Sequence, residues 1–186
     1  MTDSVCEEYL RLFDPRRDSN DRVSENASDY AARMQTEVLP RWPTEVLIEW
    51  LYRHARCISV YAYLGFENLS FSLETWTLDA IPGKEAFTDP SFFDSFRDVK
   101  LRASFPHDWL AIYMLGEGTW NTPIILLKTP PGHTTWKGYR PLRYPLHLIE
   151  GHRRLSFLNG LSAMRMAKSH HKVWLAKLIN EDAFET

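Results

Sequence analysis

Leu146-His147-Leu148-Ile149-Glu150-Gly151-His152-Arg153-Arg154-Leu155 is the stretch from which the fold can be read. Leu146 to Ile149 is an apolar run of strand length, and the apolar spacing from Arg153 to Leu161 is that of a helix. Gly151 falls at the junction, where a sharp strand-to-helix turn favours a residue without a Cβ. The first backbone N–H groups of such a helix carry the positive end of its dipole and form an anion site. Arg153 and Arg154 add planar donors that match phosphate oxygens. The same residues also fit a plain strand–turn–helix connection with two solvated arginines.

Charge points the same way. The chain carries −2 overall, yet between Gly118 and Asn180 ten Lys and Arg face a single acid, Glu150, for a net of +9. Residues 1 to 117 are correspondingly acidic, at about −8. A basic half favours a polyanion, either nucleotide or nucleic acid; mutual neutralisation of two packed halves is the alternative. Glu150, at a strand end beside a phosphate-binding turn, is placed to hold Mg2+ or to orient water. It is equally placed to pair with Arg153 or Arg154 across the turn.

Upstream, the helical pattern Trp109 to Gly118 leads into Pro123-Ile124-Ile125-Leu126-Leu127; downstream, a helix leads to His171-Lys172-Val173-Trp174-Leu175-Ala176. With the Glu-Gly-His-Arg-Arg box between them, this order resembles the ParB/sulfiredoxin-like superfamily from Pro106 to Leu178. The resemblance implies an α+β (mixed α/β) fold: a small mixed sheet with flanking helices, plus an N-terminal helical region. It implies a nucleoside triphosphate held by Gly151, His152, Arg153 and Arg154. Branches of the superfamily cut nucleic acid, hydrolyse CTP or ATP, phosphorylate serine, or reduce cysteine sulfinic acid. The reductase branch needs a cysteine where Gly151 stands, and Cys6 and Cys57 lie far off in sequence. Partition ParB proteins need a helix-turn-helix and a dimerisation segment after the box, for which Leu155 to Thr186 are too few, and their acidic Glu-Asn box has no match.

The small plasmid fertility-inhibition branch fits best by size and by the box. That likeness implies ATP hydrolysis and DNA cleavage that block DNA transfer through a type IV secretion system. Glu150 and Arg153 would be catalytic, and Glu150 would be the Mg2+ ligand. The implied partners are a nucleoside triphosphate, DNA, and a secretion coupling protein or relaxase–DNA complex, in the bacterial cytoplasm, with recruitment to the inner membrane by a partner. A non-catalytic nucleotide-binding protein that docks on the coupling ATPase is the rival, and a kinase of the same fold is a third reading.

The loop Thr129 to Pro145 interleaves Lys137, Arg140 and Arg143 with Trp136, Tyr139 and Tyr144. Cations track phosphates and rings stack on bases, so Lys137, Arg140, Arg143, Trp136 and Tyr139 are candidate nucleic-acid contacts. A surface loop whose aromatics fold back on the core is the alternative. His147, His152, His170 and His171 follow no metal-binding spacing, and strand alternation sets His147 opposite Leu146 and Leu148.

Three segments are expected: residues 1–105, mostly helical and packed on the core; the core, 106–180; and an acidic tail, 181–186. Apolar content of 44 %, with seven Trp, eight Tyr and ten Phe, argues against disorder. Neither a leader nor an apolar run approaching ~20 residues is seen, so no membrane insertion is expected. Residues 1–36 read as a loosely ordered lead-in with a mobile charged loop and one short helix. Thr44 to Leu64 reads as one amphipathic helix, opened by Pro43 and closed by Gly65, with Cys57 in its core. Leu69 to Leu78 is ambiguous between strand and helix. Pro90 to Phe96 and Asp108 to Leu115 read as helices.

Overall fold

The computed structural model describes residues 8–131 and 142–179, which form a mixed α+β fold around a four-stranded sheet. The chain divides into two compact units, one reaching Phe71 and resuming at Lys177, the other lying between Ser72 and Ala176. The sequence suggested a division near residue 105. The helices of residues 90–103 share a hydrophobic core with the later strands.

In the first unit, α1 (Ala27–Glu37) begins at Asn26, whose side chain accepts the Asp29 N–H at 2.9 Å. It buries Tyr30, Ala31 and Met34, and the Tyr30 hydroxyl donates to the Phe13 carbonyl at 2.8 Å. Arg33 grips both carboxylate oxygens of Glu25 at 2.8 Å and also reaches the Asp14 carbonyl at 3.0 Å. That guanidinium holds the Glu25 carboxyl below the usual carboxylate range. The loose lead-in expected from sequence is therefore corrected over its described part. Its charged residues bond to one another and to backbone, and Phe13 is buried.

Pro43 and Gly65 bound the next helical stretch as expected, but it is not one α-helix. A turn (Thr44–Val46) passes into a π-helical segment (Leu47–Tyr52), breaks at Arg53 and His54, and resumes as a 3₁₀ helix (Ala55–Leu64). A three-residue repeat sets Ile58, Tyr61 and Leu64 on one face and turns Cys57 outward. Cys57 is exposed, which corrects the helix-core reading.

Leu69–Thr77 resolves as strand β1, which begins in the first unit and continues into the second. Two helices follow, α2 (Pro90–Phe96) and α3 (Val99–Ala103), each capped by an aspartate, Asp89 and Asp98. Then come α4 (Trp109–Glu117), β2 (Ile124–Lys128), β3 (Leu146–Glu150), α5 (His152–Ala163) and β4 (His170–Leu178). The sheet order is β1-β4-β2-β3, with β2 antiparallel to β3 and parallel to β4. Ile124, Leu126, Leu148, Val173 and Leu175 point into one core with Leu110, Met114, Leu155, Phe157 and Leu158. Their partners in alternation, Ile125, Leu127, His147 and Ala176, are also buried, so β2 reads as an unbroken apolar run.

α5 crosses the junction of α2 and α3 closely. A Cβ on Gly160 would collide with the Arg97 carbonyl and touch Val99 Cγ1 at 3.8 Å. On an exposed helix Gly→Ala stabilises by up to ~1 kcal/mol. Here Gly160→Ala is expected to destabilise by about 1–3 kcal/mol, because backbone must move. Urea unfolding monitored by the tryptophans decides the sign.

Candidate functional site

The strand-to-helix turn takes one residue. Glu150 ends β3, His152 opens α5, and Gly151 between them has φ +98°. A Cβ there would lie 2.5 Å from Ile124 Cγ2 and 3.2 Å from Arg154 Nε, so conformation and space both demand glycine. The ladder is irregular just before the turn. Leu126 pairs with Leu148 while Ile125 pairs with Glu150, so Ile149 is the extra residue of a bulge. Glu150 thus stands opposite Ile125, out of the alternation that Leu146 and Leu148 begin.

The two arginines of the box take different roles. Arg154 is buried, and its guanidinium donates to Glu150 at 2.7 Å, one helical turn back. Arg153 stays 40 % exposed at its side chain and lies 2.6 Å from both oxygens of Asp108. Its guanidinium also lies over the rings of Phe96 and Phe157, 5.4 and 5.5 Å from their centroids. Arg102 of α3 covers the same Phe96 ring at 4.4 Å. Two guanidiniums therefore converge on one ring beside the α5 N-terminus. The imidazole of His152 meets the rings of Phe87 and Phe92 edge-on at 5.5 and 5.7 Å.

Asp108, Arg102 and Phe96 were not singled out by sequence reasoning. Asp108 announces itself only as a cap before an apolar run, and its side chain does accept the Ala111 N–H. Nothing in the sequence ties it to an arginine 45 residues on.

The Glu150 carboxylate is taken by Arg154, and that of Asp108 by Arg153 and the start of α4. Among the described residues, no three His, Cys, Asp or Glu side chains gather as a metal site. Of the candidate nucleic-acid contacts, Trp136, Lys137, Tyr139 and Arg140 lie outside the described residues. Arg143 donates to the carbonyls of Phe87 and Thr88 at 2.8 and 3.0 Å, tying the end of that loop to the segment before α2.

No protein-family model matches the chain, and no curated protein or solved structure is found to match it either. Among the described residues, no helix is long and apolar enough to cross a membrane.

His147 lies on β3 three residues before Glu150 and is buried, its Nδ1 accepting the Arg143 N–H at 3.2 Å. Burial pushes its pKa down to about 3, with the nearby His152 and Arg143 adding to the effect. Burial also lowers that of His171, whose ring bonds to Thr119 and to the Lys168 carbonyl.

Below pH 6.5 His147 stays neutral in the fold while it protonates in the unfolded chain, and the lowered pKa of His171 acts in the same direction. Stability is therefore complete above 6.5 and falls as the pH drops, by up to ~1.4 kcal/mol per unit for His147. Denaturation midpoints from pH 7 to 5 should fall for the wild type and flatten for His147→Gln. Equal slopes would show that His147 titrates in the folded state. In the same experiment Glu150→Ala is expected to cost on the order of 3 kcal/mol, because Arg154 keeps a buried charge without its carboxylate.

Proposed function

We propose that the chain binds a nucleoside triphosphate at the Gly151 turn, its phosphates against the first turn of α5 and against Arg153. The observation that carries the reading is the partly exposed Arg153 side chain, held by Asp108 and Phe96 beside a helix start that only glycine can enter. The resemblance of the box to ParB/sulfiredoxin-like proteins supports it. Arg102, sharing the Phe96 ring, supplies a second cation within reach of an anion.

In the enzymatic form of this reading, ATP is hydrolysed and DNA is cut, and the outcome for the cell is inhibition of DNA transfer through a type IV secretion system. A coupling protein or relaxase–DNA complex is then the target. A second reading has nucleotide as ligand only, with the chain acting by docking. It is favoured by the Glu150–Arg154 pair, which occupies the one carboxylate that hydrolysis would draw on.

Arg153→Ala is the informative variant once its folding is confirmed, since it leaves the largely buried Asp108 carboxylate with the Ala111 N–H at the start of α4. Binding of a fluorescent ATP analogue should weaken about tenfold or more in Arg153→Ala, and less in Arg153→Lys, which keeps charge but loses the planar fork. Unchanged affinity in Arg153→Ala would remove the site from this turn. Phosphate release from Mg-ATP, with and without single-stranded DNA, then separates the readings: release lost in Arg153→Ala supports the enzyme, and binding without release supports docking.

A further inference from the structure

α4 reads Trp109-Leu110-Ala111-Ile112-Tyr113-Met114-Leu115-Gly116-Glu117 and carries no charge before its last residue. Leu110, Ala111 and Met114 face the core. The opposite face, Trp109, Ile112, Tyr113 and Gly116, recurs at the i, i+3, i+4, i+7 spacing of a single stripe. Trp109 is 61 % exposed, Ile112 46 % and Tyr113 37 %; Leu101 of the adjoining α3 and Phe105 after it add 56 and 51 %. From the sizes of these side chains the patch presents about 500 Å² of apolar surface, toward the upper end of what a monomer leaves uncovered. A helix apolar all round ordinarily lies inside a core.

We propose that this face is the interface of a two-fold homodimer in which α4 packs antiparallel on α4 of a second copy. Shape is the first argument. The stripe begins with its bulkiest side chain, Trp109, and ends at Gly116, where nothing lies within 4 Å of a Cβ position. Turning one copy end for end sets Trp109 of each against Gly116 of the other and Ile112 against Tyr113. Both pairs share one midpoint, as a self-complementary interface requires. Large side chains then fill the open glycine sites and the backbones approach closely.

Charge is the second argument. In the chain Arg97, Lys100, Arg102 and His107 precede the stripe, alongside the helix-capping Asp98 and Asp108, and Glu117 closes it in an exposed contact with Lys168 at 3.5 Å. The antiparallel arrangement brings each Glu117 to the basic end of the other copy and opposes the two helix dipoles. With its rim the patch approaches the ~800 Å² per partner of a stable complex.

Sedimentation velocity of the full chain over about 1 to 100 μM tests this. The wild type should sediment as a dimer. Gly116→Leu places a side chain in open space on a helix that favours it, so the monomer folds at least as well. It fills the seat of Trp109, and dimer affinity should drop at least about tenfold. With Cys6 and Cys57 changed to Ser, Ile112→Cys should cross-link to itself through a short bis-maleimide. A wild type that stays monomeric across the range overturns the proposal, as does Gly116→Leu dimerising like the wild type. So does Trp109-dependent binding of a monomer to anionic vesicles or to an oligonucleotide. None of these readouts depends on nucleotide binding.

Discussion

The turn through Gly151 has to reverse the chain within one residue, because β3 runs to Glu150 and α5 begins at His152. Ile124 of the neighbouring strand already fills the space a side chain would need, so the turn and the packing of β2 against α5 are one constraint. Once the backbone takes this path, the next turn of helix brings Arg154 back to Glu150, and the buried pair closes over the strand end. Arg153, one residue earlier on the helix, is rotated away from Glu150 and meets Asp108 at the start of α4. One glycine therefore divides two adjacent arginines into an inner and an outer one.

That division bears on chemistry more than on stability. A buried ion pair is weak evidence of net stabilisation, since desolvation of both ions opposes their attraction. What it does secure is a fixed partner: Arg154 cannot leave Glu150 without stranding charge in the interior. Arg153 is held by the largely buried Asp108 carboxylate and by ring faces, yet keeps part of its side chain exposed, and in the proposed reading a phosphate would compete for it. In that reading an anion would meet one accessible arginine where the sequence displays two equivalent ones.

The strand, the turn and the helix around the box were legible because their signals are local: apolar runs of the right length, a glycine at the junction, and aspartates or prolines at helix starts. The same holds for Pro43 and Gly65. What lay between those two was not legible, because a 3.6-residue pattern and its π and 3₁₀ variants look alike over a few turns, and the choice is made by packing. Around Trp50 that packing is an aromatic cluster with Trp42, Phe66 and Phe71. The order in residues 13–37 was hidden by polar composition: Glu25 and Arg33 look solvated one by one, and their mutual bonds, with that of Arg33 to the Asp14 carbonyl, tuck the two side chains in. At the site, Glu150 and Arg154 were visible as a possible pair across the turn, whereas the bond from Arg153 to Asp108 and the Phe96 ring shared with Arg102 join segments far apart in sequence. Strand alternation also misleads at Glu150, because the bulge at Ile149 inserts a residue that no composition rule announces.

Asp108 connects the turn to the outer face of α4. Its carboxylate accepts the Ala111 N–H and also holds Arg153, and the residue after it is the exposed Trp109. An anion that draws Arg153 away leaves Asp108 to the helix start alone, where a carboxylate is favoured by the dipole. A second copy packed on Trp109 would in turn restrict how far that helix start can adjust. In the two proposed readings, anion binding and self-association would meet at a single carboxylate, and any effect of one on the affinity of the other would be matched by reciprocity. The sign of that linkage follows from which partner Asp108 keeps. If the packed α4 requires Arg153 in place, the anion weakens the dimer; if the helix cap suffices, the two sites act independently.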